Sequence, residues 1–300
     1  MESQDVFDGK RTWHIAQADV LDFLRSLPDD SIDLCFFSPP YENARTYGIG
    51  FQLAGQDWVN WLVKVFQACR RVCTGLIACV CEGRTKAFQW SAVPALLLAD
   101  LYRAGFYLRK PPIFQRVGIP GSGGADWLRN DYEFIICATR GGKLPWSDNT
   151  VMGHTPKYGP GGKMSYRNAD GKRRNQRCAA DGKRRNQRGA ANGRCVPRGK
   201  AKGDIVVQAL YVPPVLANPG NIIHARVGGG HMGSRLCHES EAPFPENLAE
   251  FFICSFCLPG GVVLDPFLGS GTTAAVAVRW GRRALGCDIR AGQVALARKR

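Results

Sequence analysis

Val262-Val263-Leu264-Asp265-Pro266-Phe267-Leu268-Gly269-Ser270-Gly271-Thr272-Thr273 decides the fold. The apolar start reads as a buried strand, Asp265 stands at its carboxyl end, and Gly269 and Gly271 form a turn into a helix predicted over 272–280. Glycine lacks a Cβ, so this turn can bend tightly and let a ligand approach the backbone. Strand, turn and helix in this order build a cleft at the carboxyl edge of an open α/β sheet. The acid discriminates among ligands. A phosphate loop would carry Gly-x-x-x-x-Gly-Lys, which is absent, so Asp265 favours a cation. A second apolar run, 284–287, ends in Asp288, where a carboxylate can accept hydrogen bonds from both hydroxyls of a ribose.

A final helix is predicted over 291–298 and another over 244–257, opening after Pro243. The first half of the chain repeats the β-α theme. Strands over 13–19 and 32–37 flank a helix over 20–27 and a Pro28-Asp29-Asp30 turn. A helix over 57–72 follows, with Trp58, Trp61, Leu62, Val65 and Cys69 on one apolar stripe, then a strand over 76–81 and a helix over 93–104. Strand candidates over 107–115 and 132–138 bracket a Gly/Pro loop over 118–124. This alternation predicts an α/β fold whose mostly parallel sheet is covered by helices on both faces.

After Gly141 the periodicity fades, to return over 205–212. The formal charge of +15 is concentrated here, with fourteen Lys/Arg against Asp170 and Asp181 between Lys163 and Lys202. Residues 169–179 and 180–190 form a tandem repeat that differs only at Cys178 and Gly189, and its near absence of apolar side chains argues against folding by burial. So dense a basic block suits a polyanion such as double-stranded DNA, although a duplication tolerated in a surface loop would look the same. Lys172, Arg173, Arg174, Arg177, Lys183, Arg184, Arg185 and Arg188 are its candidate phosphate contacts.

The twelve cysteines mostly occupy apolar patterns, where they act as small hydrophobes and point to a reducing compartment. Cys254 and Cys257 have metal-ligand spacing but lie in an apolar helix without a second pair, and His231, Cys237 and His238 form only a loose cluster, so no metal is expected. With no signal pattern and no apolar run long enough to cross a bilayer, a cytoplasmic protein without a membrane partner is expected.

A second motif, Ser38-Pro39-Pro40-Tyr41, ends the strand over 32–37. Its prolines stiffen the turn and remove backbone donors, leaving carbonyls free to accept. Ser38 Oγ and the Pro39 carbonyl could then accept both protons of an exocyclic amino group and push electron density back onto its nitrogen. Tyr41 would offer an aromatic face to an extruded base. By itself the tetrapeptide serves a stiff turn as well as a clamp.

Together the two motifs resemble those of the DNA amino-methyltransferases, which modify cytosine at N4 or adenine at N6. Their order, catalytic tetrapeptide first and glycine turn near the C-terminus, is similar to the permuted beta group of that family. The resemblance covers most of the chain outside the basic repeat. It implies a Rossmann-like class I methyltransferase sheet of seven strands, one antiparallel, with 107–115 and 132–138 as the final hairpin and a basic target-recognition insertion. The catalytic half would span 1–140, the insertion 141–235 and the cofactor-binding half 236–300.

The implied cofactor is S-adenosylmethionine, whose ammonium group suits Asp265. Asp19, Phe244, Asn247, Asp265, Phe267, Gly269, Gly271, Thr272 and Asp288 would bind it, Ser38, Pro39, Pro40 and Tyr41 would be catalytic, and Arg129 would lie near the target pocket. Serine at the first tetrapeptide position favours N4 of cytosine, with N6 of adenine as the alternative. A relative that binds nucleic acid without activity is a third reading, disfavoured by the intact motifs.

Overall fold

A computed structural model describes residues 2–42, 50–118, 126, 128–154, 216–228, 230–239 and 243–300. The chain divides into two compact units, Met1–Met152 with Pro219–Arg300, and Gly153–Asn218. Within the described part of the smaller unit, His154 and Ala217 form an isolated antiparallel bridge. The basic repeat, its eight candidate phosphate contacts and the expected order over 205–212 lie outside the described residues.

The larger unit opens with α1 (Glu2–Phe7), β1 (Trp13–Gln17), α2 (Val20–Ser26), β2 (Ile32–Phe37), α3 (Gly55–Val72) and β3 (Cys73–Cys81). A small ribbon of β4 (Thr85–Lys86) and β5 (Gln89–Trp90) leads to α4 (Val93–Arg103), β6 (Tyr107–Leu108), β7 (Ile113–Val117) and β8 (Tyr132–Thr139). After β9 (Ile222–Arg226) come α5 (Glu246–Phe256), β10 (Val262–Asp265), α6 (Thr272–Arg279), β11 (Arg283–Asp288) and α7 (Ala291–Lys299).

Among the described residues, nine strands form one sheet in the order β1-β11-β10-β2-β3-β8-β7-β9, with β6 also beside β8. β8 runs antiparallel to β3, β6 and β7, and the other pairings are parallel. The carboxyl ends of β1, β11, β10, β2 and β3 therefore share one edge with the start of β8.

Alternate residues of each strand feed two cores. Cys35 and Phe37 of β2 face α2, α3 and α4, where Phe23, Trp58, Phe66 and Leu97 are buried. Leu34 and Phe36 face the opposite layer, where Phe252, Val276 and Val294 are buried. Burial on both faces explains why β2, β3 and β10 read as unbroken apolar runs rather than alternating ones.

The sheet differs from the seven-stranded expectation in two places. The predicted strand over 107–115 is split into β6 and β7, because Pro111 and Pro112 cannot donate to a ladder. β9 adds a parallel edge to β7 from a stretch with no expected strand, burying only Ile223 and Ala225 in its alternation. The helix expected from Phe244 starts at Glu246, with Pro245 as its extended N-cap.

Candidate active site

The carboxyl edge gathers one group of candidate residues through backbone geometry. β1 leads to Asp19, which caps α2 by accepting from Leu21 N at 2.9 Å and Asp22 N at 3.3 Å. In the turn after β10, Gly269 has φ 51° and Gly271 has φ 82°, in the left-handed region that side chains resist. A Cβ on Gly271 would also stand 2.9 Å from Ala297 Cβ of α7. Asp288 ties this turn to the next strand by accepting from Gly269 N at 3.1 Å with one oxygen and Arg290 N at 2.9 Å with the other. Asp19, Asp288, Gly269 and Phe267 line one cavity together with Ser38, Pro39 and Pro40. Gly271 instead shapes the start of α6.

Asp265 is sequestered at 1% exposure and is not on that cavity's wall. Its oxygens accept from Phe267 N at 3.0 Å and Thr273 Oγ1 at 2.6 Å, so in this structure it braces the turn. Burial pushes its carboxyl up to about 7, against the two hydrogen bonds and with a further push from Asp288. Thr272 is also buried, its hydroxyl accepting from Arg300 Nη1 at 2.9 Å. Phe244 packs edge-on against Phe36, with ring centroids 5.3 Å apart, on the opposite layer of the sheet. Asn247 lines a separate cavity with Val117, His224, Arg226 and His231. These four residues therefore lie off the wall shared by Asp19 and Asp288.

The tetrapeptide completes the cavity from the adjacent strand. The Pro40 carbonyl accepts from Trp58 Nε1 at 2.9 Å, which anchors the turn to α3. Tyr41 is half-buried against the core, and its hydroxyl donates to Glu133 Oε2 at 2.7 Å. Burial and the Glu133 carboxylate hold the phenol well above the usual tyrosine range, opposed by a hydrogen bond with Ser38, so Tyr41 stays a neutral donor at pH 7. Glu133, in the stretch expected near the target pocket, also pairs with Arg116 at 3.2 Å. Arg129 pairs with Asp131 at 3.6 Å on the exposed side of that stretch.

Phe51, Trp61, Ile289 and Arg290 also line the cavity, and no motif in the sequence marks them. Trp61 fits the apolar stripe of α3, yet its ring reaches Phe267 at 5.5 Å and so forms wall as well as core. Ile289 and Arg290 follow Asp288 directly, which was the available signal. Among the described residues no group of three or more His, Cys, Asp or Glu gathers to hold a metal ion, and no helix is long and apolar enough to cross a membrane.

Residues 32–299 match the model of a DNA methylase family whose label joins N6 and N4. Among curated relatives, 67 residues are 42% identical to the orphan methyltransferase M.BamHII of Bacillus amyloliquefaciens, covering 21% of this chain and 25% of that protein. The DNA adenine methyltransferase YhdJ of Escherichia coli (strain K12) is 22% identical over 298 residues, covering 97% of this chain and 83% of its own. The matches thus span only about a quarter of the first relative and most of the second. Among solved structures, the cytosine-N4-specific PvuII DNA methyltransferase superposes with TM-score 0.64 at 17% identity, covering 96% of this chain and 86% of that one. A Thermus thermophilus protein, the putative DNA modification methylase TTHA0409 complexed with S-adenosyl-L-methionine, gives TM-score 0.55 at 20% identity, covering 95% and 91%. At these identities the two structures support the fold, a mostly parallel class I methyltransferase sheet.

Proposed function

The chain belongs to the N6/N4 DNA methylase family, and from that premise we propose that it methylates the exocyclic amino group of a base extruded from double-stranded DNA, with N4 of cytosine as the preferred target. The observation that carries this reading is the single cavity shared by Asp19, Gly269 and Asp288 on one side and Ser38, Pro39 and Pro40 on the other.

The residues present fit S-adenosylmethionine. Asp288 and Asp19 offer carboxylates at adjacent strand ends, Phe267 and Trp61 offer aromatic surface, and Gly269 removes the side chain that would crowd a ligand. Bound there, S-adenosylmethionine supplies a methyl group on a positively charged sulfur, an electrophile that an amino nitrogen can attack directly. Asp265 would act on its ammonium end through the turn it braces, rather than from the cavity wall.

The chain's own residues supply orientation and electrostatics. Ser38 Oγ and the Pro39 carbonyl accept the two amino protons, and Tyr41, fixed by Glu133, offers its ring to the base. Because the Pro40 carbonyl is already engaged by Trp58, the acceptor role falls to Pro39. The nitrogen would gain the methyl group as the methyl–sulfur bond breaks and leaves the neutral thioether S-adenosylhomocysteine; it would release one proton to water, and no covalent enzyme intermediate is needed. The basic segment and Arg129 would hold the DNA backbone.

Ser38 favours cytosine, as does the cytosine-N4 specificity of the PvuII enzyme, while the adenine methyltransferase YhdJ keeps N6 of adenine as the second reading. Incubation with labelled S-adenosylmethionine and unmodified DNA tests the proposal. Label in the DNA is expected, whereas cofactor binding without transfer would favour an inactive nucleic-acid-binding relative.

A further inference from the structure

The ribbon that follows β3 carries a tip that neither sequence motif accounts for. Pairing of Thr85 with Trp90 and of Lys86 with Gln89 leaves Ala87 and Phe88 as a two-residue turn. Their φ angles are 49° and 63°. Such a turn needs left-handed backbone at both central positions, and Asn-Gly is the pair that supplies it with least strain. Here alanine and a bulky aromatic residue stand there instead. Phe88 gains no burial in return, since it is 82% exposed. A strained backbone that holds a large apolar ring in water costs the folded chain free energy, and such an outlier points to a ligand that the ring meets.

The base of the ribbon is fastened. Trp90 Nε1 donates to Glu82 Oε1, and Ser91 N to the Arg84 carbonyl, both at 2.8 Å. Glu82 follows β3 directly, and parallel pairing of Phe37 with Cys79 sets it level with Pro40 of the tetrapeptide. The ribbon therefore springs from the carboxyl edge beside Ser38 and Pro39. Six residues lead from Glu82 to Phe88, so even at full extension the tip stands within about 22 Å of that edge. A duplex that presents a base to Ser38 and Pro39 must pass over the same edge. Arg84 and Lys86 are exposed, and no acid lies between Gly83 and Trp90, so the ribbon's charge suits the phosphates of that duplex.

Resting on the reading that a base is extruded from double-stranded DNA, we propose that Phe88 is a wedge that enters the base stack where the target base leaves it. Extrusion breaks the stacking and pairing of that base. An apolar ring inserted into the gap restores stacking on the neighbouring base pairs. The closed turn fixes the direction of the ring before DNA arrives, so less freedom is lost on binding than a longer loop would lose. The wedge holds the gap open while the tetrapeptide holds the extruded base.

The test uses the full chain and duplexes carrying the target site found by base-resolved mapping. In one duplex the target base is paired, and in the other it faces an abasic site, so its pairing is already lost. Phe88→Ala should lower kcat/KM about 10- to 100-fold on the paired target, the range for removing one stacked aromatic ring. On the abasic duplex, where less has to be broken, the loss should shrink to about threefold or less. Phe88→Trp should keep most of the activity on both. Phe88→Gly should transfer as poorly as Phe88→Ala and yet raise the urea midpoint, because glycine accepts a φ of 63° without strain. Unchanged S-adenosylmethionine affinity in all three variants reports an intact cofactor half. Equal losses on both duplexes, a lowered midpoint in Phe88→Gly, or normal transfer by Phe88→Ala to the paired target would overturn the assignment. So would loss of self-association in Phe88→Ala with transfer intact, which would give the tip to a second copy of the chain. No transfer by the wild type to any DNA would instead remove the reading on which the wedge rests.

Discussion

The glycine turn and the tetrapeptide edge occupy neighbouring strand ends but are held in place in different ways. Around the turn, Asp265 and Asp288 spend their oxygens on Phe267 N, Thr273 Oγ1, Gly269 N and Arg290 N, so the backbone is fixed within the protein. At the tetrapeptide edge, side chains are tied across strands instead: Trp58 Nε1 donates to the Pro40 carbonyl and the Tyr41 hydroxyl to Glu133 Oε2, which β8 carries. The contrast separates two kinds of site. On the proposed reading, the cofactor half is held by backbone turns and the base half by side-chain links between strands.

The largest expected effect comes from Tyr41→Ala. Losing the ring and its link to Glu133 should lower methyl transfer by about 10²- to 10³-fold, from lost stacking and misplacement of the base, while S-adenosylmethionine affinity measured by calorimetry stays within error. Equal losses in both would erase the division between the two halves.

Next is the pH dependence of the braced turn. Asp265 holds its proton up to about pH 7 in the folded chain, against 3.8 ordinarily. Between these values unfolding releases a proton, so this group's contribution to stability falls as pH rises from about 4 to about 7 and then levels off. Asp265→Asn should remove a decline of a few kcal/mol between urea midpoints at pH 5 and pH 8. An identical decline in the variant would mean that Asp265 is not buried as described.

Asp288→Ala should weaken S-adenosylmethionine about 10- to 50-fold, because charge-assisted bonds to ribose hydroxyls and to the turn are both lost. DNA affinity in the absence of cofactor should hardly move, and a matching fall in DNA affinity would blur the two halves. Smallest is Gly271→Ala, expected to cost about 1–2 kcal/mol of folding stability in a denaturant titration through its positive φ and the Ala297 contact. No measurable cost would show that the turn can relax.

Much of this arrangement was legible in the chain. Buried parallel strands announce themselves as apolar runs, and prolines, glycines and terminal acids mark where they end, so β2, β10, β11 and their motifs were found at the correct edge. Two kinds of information were missing. Pairing across strands cannot be read from a local pattern, which is why the hydrogen bond from Tyr41 to Glu133, made from the end of β2 to β8, escaped notice. Side-chain direction was equally silent: Asp265 and Thr272 bound the glycine turn but are buried, and Phe244 and Asn247, before and within α5, lie away from the shared wall. β9 was missed because its alternation spans only five residues.

Base-resolved mapping of random-sequence duplex DNA after incubation with the chain and labelled S-adenosylmethionine tests the central claim most directly. Methyl groups on an exocyclic amino nitrogen, at N4 of cytosine within a defined sequence context, are the predicted result. Label on a ring carbon, or bound cofactor with no label in the DNA, would contradict the account.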